Sequence, residues 1–291
     1  MYIIGGTASK DVATDLSREL RCPLVDVTVK RFADGECYVR INDDVQGEDV
    51  LVVQTTYPDK NIVEMFLLQD AAAEAKVHSI YLVVPYYGYA RQDRKFQEGE
   101  PVSAKAMAKH LSMHADGIVT VDPHKEHVLD FFDIPAHSCS AVPEIAKYLK
   151  KKNVEVILAP DEGAVERAKT AAEIIECPYG FLEKKRIDDE TIEMTTKKFD
   201  VEGKTIAILD DIISTGGTMT KAVEEMKKQG AEEVYVACTH GLFVGDAVKK
   251  LCSTGCKEIL STDTVVTPFS IIKVAPALAS AINQMFTGRV E

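Results

Sequence analysis

The 291-residue chain has no long hydrophobic run, no paired-cysteine motif, and less positive than negative charge. Nothing approaches the roughly 18 uninterrupted apolar residues of a membrane-spanning helix. The opening Met1-Tyr2-Ile3-Ile4-Gly5-Gly6 is too short an apolar run for a signal peptide, so a cytoplasmic protein is expected. Acidic residues outnumber basic ones 46 to 34, a net charge of −12 that argues against nucleic acid or an anionic membrane as a partner. Seven cysteines (Cys22, Cys37, Cys139, Cys177, Cys238, Cys252, Cys256) are odd in number and form no CxxC pair, which reads as reduced thiols packed as small hydrophobes. Cys252 and Cys256 suit one helical face but lack nearby His or Cys to complete a metal site. Neither GxxxxGK[ST] nor GxGxxG occurs, so a nucleotide must be held by another device. An anionic substrate would depend on local cations, N–H donors or metal ions, because the overall field repels it.

The length suits two domains, and 46% hydrophobic residues can supply two cores. Short β-branched runs alternate with amphipathic stretches. In the first half Val50–Val53 precedes 62–76, Ile80–Val84 precedes 103–114, and Ile118–Val121 follows. In the second, Val156–Leu158 precedes 162–176, Thr205–Leu209 precedes 218–229, and Val234–Val236 precedes 244–251. This alternation predicts an α/β fold of mainly parallel sheets flanked by helices. Met219, Ala222, Val223 and Met226 fall at i, i+3, i+4 and i+7, with Gly230 as a helix stop. A boundary near Ala141 gives domains 1–140 and 141–291, whose similar element order suggests an old duplication.

The segment from Thr205 to Thr218 carries the most chemistry. An apolar strand runs into Asp210 and Asp211, then through Ser214, Thr215, Gly216, Gly217 and Thr218 into a helix. The glycines let the backbone approach an anion, the helix N-terminus supplies N–H donors, and the hydroxyls add more. Two carboxylates would repel phosphate, so they are expected to accept hydrogen bonds from sugar hydroxyls beside it. The plainer alternative is a helix cap and a solvated turn. Ligands of open α/β sheets bind at the carboxyl ends of strands, which favours a phosphorylated sugar.

Residues 208–218 resemble the phosphoribosyl diphosphate loop shared by type I phosphoribosyltransferases and ribose-phosphate diphosphokinases. Further motifs resemble the diphosphokinases over nearly the whole chain, and the fold this implies is two phosphoribosyltransferase-like domains. Arg31-Phe32-Ala33-Asp34-Gly35-Glu36 is similar to the family's adenine-binding hairpin, which implies ATP contacts at Phe32, Asp34, Gly35 and Glu36; by spacing alone it is an Asp-Gly turn. Pro85 to Lys95, dense in aromatics and cations, resembles the ATP-binding stretch, with Arg91 and Gln92 as contacts. By the same resemblance His124 ligates magnesium on ATP and Asp161 binds a second magnesium near the sugar; a carboxylate suits that ion better than an imidazole. His110, His114, His127 and His137 are expected to be structural. A charged stretch from Leu182 to about Lys198 reads as a mobile surface loop, and its Lys184 and Arg186 match the family's catalytic lysine and arginine.

The resemblance implies transfer of the diphosphate of ATP to the C1 hydroxyl of ribose 5-phosphate, with Mg2+, for nucleotide biosynthesis. Asp210, Asp211, Ser214 to Thr218 and Arg186 would hold the ribose 5-phosphate. The alternatives are a type I phosphoribosyltransferase, which ignores ATP, and a non-catalytic regulatory relative. Ser214 stands where the familiar bacterial pattern often has aspartate, Gly216-Gly217 where one alanine is common, and the region after Lys257 is short, as in archaeal-type members. These departures leave phosphate activation and ADP inhibition open. Because the family's adenine hairpin reaches into a neighbouring subunit, at least a homodimer is implied.

Overall fold

Val50, Leu51, Val52 and Val53 are all buried, as is every residue from Ser79 to Val84. Strands apolar on both faces must be covered on both, which only helices above and below a parallel sheet provide. The computed structural model describes residues 1–186, 192–196 and 200–287, with side chains for 1–182 and 200–286. In chain order the first unit carries β1 (Tyr2–Gly5), α1 (Lys10–Leu20), β2 (Val27–Arg31), β3 (Cys37–Ile41), β4 (Asp49–Val53), α2 (Lys60–Glu74), β5 (Ser79–Val84), α3 (Ser103–Leu111), β6 (Gly117–Val121) and β7 (Ala136–Cys139). Its parallel sheet has the order β1-β4-β5-β6-β7, and β2 and β3 form a separate antiparallel ribbon.

The second unit carries α4 (Val142–Lys150), β8 (Val156–Ala159), α5 (Val165–Ile175), β9 (Tyr179–Arg186), β10 (Ile192–Thr196), β11 (Thr205–Ile213), α6 (Gly217–Lys228), β12 (Glu233–Gly241), α7 (Ala247–Ser253), β13 (Glu258–Thr262) and β14 (Ser270–Ile272). The sheet order is β10-β9-β8-β11-β12-β13-β14, parallel except for β10. Strand alternation divides the core by face. Ala207, Leu209, Tyr235 and Ala237 pack with residues of α4 and α5, whereas Ile206, Ile208, Val234 and Val236 pack with residues of α6 and α7.

Two expectations change here. The stretch from Leu182 is not an unpatterned loop: β9 continues to Arg186 and pairs antiparallel with Ile192–Thr196, Lys185 standing opposite Glu193. Ile192-Glu193-Met194-Thr195 alternates apolar and polar at the strand period, a signal masked by the surrounding charge. The second concerns the C-terminal segment, which was assigned to the second half. Residues cluster as Met1–Ser140 with Asp263–Val265 and Lys273–Glu291, and as Ala141–Thr262 with Val266–Ile272. The last helix, α8 (Ala275–Thr287), therefore packs with the first unit, against α1, β6 and β7. Lys273 bridges Asp15 at 3.1 Å and Asp263 at 3.3 Å, and the Phe286 ring lies 4.7 Å from that of Tyr81. No helix among the described residues is long and apolar enough to cross a membrane.

Ile282 of α8 is fully buried. Ile282→Ala should cost about 2–5 kcal/mol of stability in urea denaturation, with amide exchange accelerating in β6 and β7. Acceleration confined to β11–β13 would contradict the assignment of α8 to the first unit.

Candidate active site

The C-terminal end of β11 is built by the alternation that divides the core. Ile206 and Ile208 face α6, so Asp210 continues that face, while Ala207 and Leu209 put Asp211 on the α5 face. There Arg167 of α5 approaches it, its Nη2 standing 3.4 Å from Asp211 Oδ2. Asp211 is only 5% exposed, and its Oδ1 accepts the Ile212 N–H at 2.9 Å. Asp210 accepts the Asp211 N–H at 2.8 Å. The strand runs past both carboxylates, with Ile212 and Ile213 opposite His240 and Gly241, whereas the sequence pattern ended it at Leu209. Two β-branched residues after the aspartates account for the extension.

Asp161 follows the neighbouring strand β8 and accepts the Gly163 N–H at 3.1 Å. Burial pushes the Asp210 carboxyl up to about 8, helped by the charge and hydrogen bond of Asp211 and by the charge of Asp161. Negative charge thus collects at the ends of β8 and β11, and Arg167 offsets only part of it.

Ser214 and Thr215 lead to Gly216, whose φ of 75° is the left-handed conformation that glycine adopts freely. A Cβ at Gly217 would meet no protein atom within 4 Å, so the space beside the start of α6 is open. Thr215 and Gly217 are exposed, and Ser214 and Thr218 are half-buried. The first-turn N–H groups of α6 have no intrahelical acceptors, which leaves donors for an anion in that space. The second unit therefore brings Asp161, Asp210, Asp211 and residues 214–218 to one end of its sheet. Lys184 and Arg186 lie at the C-terminal end of strand β9, opposite Met194 and Ile192 of β10; their side chains fall outside the described residues.

The nucleotide candidates lie in the first unit. The Phe32–Glu36 turn closes the β2–β3 ribbon, with Phe32 N–H to Glu36 O at 2.9 Å, Gly35 N–H to Phe32 O at 2.9 Å and Glu36 N–H to Asp34 Oδ1 at 3.0 Å. Gly35, at φ 95°, makes the turn possible. The Phe32 ring is 49% exposed and meets Tyr38 edge-on at 6.0 Å, which leaves surface for a planar ligand. After β5 the aromatic run separates by role. Tyr86 and Tyr87 are buried, and Tyr87 donates to Ala104 O at 2.6 Å, so these rings are core. Arg91 is exposed. Gln92 anchors the start of α3: its carbonyl accepts the Ala104 N–H at 3.2 Å and its side chain accepts from Ser103 Oγ. His124 is half-buried just beyond β6. The histidines expected to be structural include His127, 3.1 Å from Asp93, His114, 3.7 Å from Asp70, and His110, whose Nδ1 lies 2.7 Å from Ala106 O.

Sequence reasoning missed Arg167, because a single arginine in an amphipathic helix carries no motif. Its place four residues after Gly163 and the end of β8 was the available signal.

Residues 1–114 match the N-terminal domain of ribose phosphate pyrophosphokinase, and residues 138–272 match the phosphoribosyl transferase domain. The ribose-phosphate pyrophosphokinase of Methanopyrus kandleri is 39% identical over 289 residues, 98% of this chain and 99% of that one. That of Pyrococcus furiosus is 41% identical over 283 residues, 96% of this chain and all of the other. The crystal structure of phosphoribosylpyrophosphate synthetase from Mycobacterium smegmatis superposes with a TM-score of 0.85 at 30% identity, covering 99% of both chains.

Asp210 carries a pH signature. Its folded-state carboxyl titrates near 8, above the usual 3.8, so between those values the folded protein holds a proton that the unfolded chain releases. Stability then falls as pH rises through that window. Asp210→Asn should stabilise the ligand-free protein at pH 8.5 by about 1 kcal/mol or more, with the gain vanishing near pH 3.5. An equal gain at both values would rule out a titration origin.

Proposed function

We propose, from the premise that the chain belongs to the ribose-phosphate pyrophosphokinase family, that it transfers the terminal diphosphate of ATP to the C1 hydroxyl of ribose 5-phosphate. The products are 5-phospho-α-D-ribose 1-diphosphate and AMP. The observation that carries the reading is the open start of α6 beside Gly217, next to paired carboxylates, in a chain matched over nearly its full length.

The C1 oxygen attacks the β-phosphorus in line, the bond from that phosphorus to the α–β bridging oxygen breaks, and the hydroxyl proton is released. Asp210, with Asp211 beside it, accepts hydrogen bonds from the ribose hydroxyls. Arg167 fixes the Asp211 carboxylate, which also takes the Ile212 N–H and is therefore poorly suited to receive a proton. Residues 214–218 grip the 5-phosphate through N–H and hydroxyl donors. Phe32, Asp34, Gly35, Glu36, Arg91 and Gln92 recognise ATP. Lys184 and Arg186 stabilise charge on the reacting phosphates, with Arg186 also contributing to the sugar phosphate. Positioning and electrostatics carry the reaction without an assigned general base.

The donor set fits magnesium. Asp161 and Asp210 are hard oxygen donors, and the uncompensated charge that raises the Asp210 carboxyl is what a divalent cation relieves. No group of three or more His, Cys, Asp or Glu side chains that could hold an ion occurs among the described residues. When bound, such ions would neutralise the triphosphate, His124 holding one on ATP and Asp161 a second near the sugar. The reading places the protein in the cytoplasm as at least a homodimer, the latter open to light scattering.

Purified protein with ATP, ribose 5-phosphate and Mg2+ should form AMP and phosphoribosyl diphosphate in equal amounts, and release of ADP would overturn the assignment. Lys184→Ala should lower kcat by roughly 100-fold or more while calorimetry still detects ribose 5-phosphate binding. Near-normal turnover would remove Lys184 from the reaction.

A further inference from the structure

Glu64, on the second turn of α2, is a carboxylate only 1% exposed. A buried charge of this kind persists only when paired and hydrogen-bonded. It accepts the Thr7 N–H at 2.6 Å, the Thr7 hydroxyl at 2.7 Å and the Gln54 amide at 2.9 Å. Its cationic partner is Arg31, with Nη2 3.7 Å from Glu64 Oε2. The same Nη2 donates to the Lys60 carbonyl at 3.0 Å, and Nη1 reaches the Gly35 carbonyl at 3.5 Å. One guanidinium therefore ties the tip of the β2–β3 ribbon to the start of α2. A two-stranded ribbon outside the main sheet has little rigidity of its own. Its tip nevertheless presents the half-exposed Phe32 ring and the acidic groups of Asp34 and Glu36 in one arrangement.

We propose that Arg31, gripped by the buried Glu64, is a positioning residue that fixes the Phe32–Glu36 tip for nucleotide uptake. The inference rests on the reading that this hairpin recognises ATP. Arg31 acts through the tip without touching the nucleotide, so its loss alters capture of ATP and leaves the sugar-phosphate site and the transfer step intact. The planar fork reaches two carbonyls and a carboxylate at once, whereas a lysine ammonium satisfies only part of that set.

Steady-state kinetics of Arg31→Ala, Arg31→Lys, Phe32→Ala and the Arg31→Ala/Phe32→Ala double variant test this. Arg31→Ala removes the cation facing Glu64 but leaves that carboxylate its three hydrogen bonds from Thr7 and Gln54, and Arg31→Lys keeps the charge; circular dichroism and thermal melting verify that each variant folds before kinetics are compared. Arg31→Ala should raise KM for ATP about tenfold or more, with KM for ribose 5-phosphate within about twofold and kcat within about threefold of the parent. Arg31→Lys should recover part of the loss. The double variant should be little worse than Phe32→Ala alone, because Arg31 works through the tip that Phe32→Ala disables. Fully additive effects would mean direct nucleotide contact and would overturn the positioning role, as would equal damage to both KM values and kcat. If Phe32→Ala raises KM for ATP but Arg31→Ala does not, the positioning role alone fails. If Phe32→Ala leaves KM for ATP unchanged, the hairpin does not hold the nucleotide and both readings fall.

Discussion

A strand covered on both faces by helices meets water only at its ends, and the chemistry of the second unit follows from that constraint on β11. From Ile206 to Leu209 every side chain is buried, so polar groups can enter only where the helices stop covering the strand. Alternation then sends Asp210 toward α6 and Asp211 toward α5, where, among the described residues, the second meets Arg167. The two neighbours consequently differ in kind. Asp211 is a fixed, paired carboxylate, while Asp210 is burdened by burial and by two like charges. A cation placed at this edge would relieve the burden on Asp210, and the start of α6 one turn further on offers N–H donors of the kind that suit an anion.

The same framework occurs twice. With Leu24 bridging to Ile3, the first unit reads Leu24-β1-β4-β5-β6-β7, and the second reads β9-β8-β11-β12-β13-β14. Each has an antiparallel pair inserted in the chain between two neighbouring parallel strands, β2–β3 between β1 and β4 in one and β9–β10 between β8 and β11 in the other. The divergence lies at the strand ends. Where the second unit leaves Asp210 and Gly217 open, the first fills the corresponding corner with its own groups: Gln54 after β4, Thr7 after β1, and the Glu64 carboxylate that both bind. An internal carboxylate on those donors leaves them unavailable to a substrate anion, which is why the proposed sugar-phosphate site falls to the second copy.

The alternation of strand and helix was legible because parallel strands need continuous apolar runs, and the 214–218 loop because its glycines and hydroxyls follow two carboxylates at the end of an apolar strand, where a plain helix cap is the less natural reading. Local pattern could not reveal what depends on the third dimension. Arg167 is one cation among many until α5 brings it against Asp211. Tyr86 and Tyr87 look like binding aromatics beside Arg91, yet both are core. The β9–β10 pairing was hidden because charge dominates the segment while its strand signal spans only a few alternating residues. The return of α8 to the first unit has no sequence mark, since an amphipathic helix fits whichever sheet the chain happens to reach.

An acidic protein that handles polyphosphates must ration its cations, and two well-placed arginines here already serve carboxylates. Arg167 is engaged with Asp211 and Arg31 with Glu64, each making a negative group tolerable in a buried or crowded place. Neither is therefore available as a loose counter-charge for substrate. Under the proposed reading the phosphates would be served by the N–H donors opening α6, a divalent ion at the carboxylate edge, and the run Lys184-Lys185-Arg186 that ends β9. A net charge of −12 repels polyanions at long range, so selectivity for them has to come from contacts at short range, where helix N–H donors and local cations outweigh the net charge.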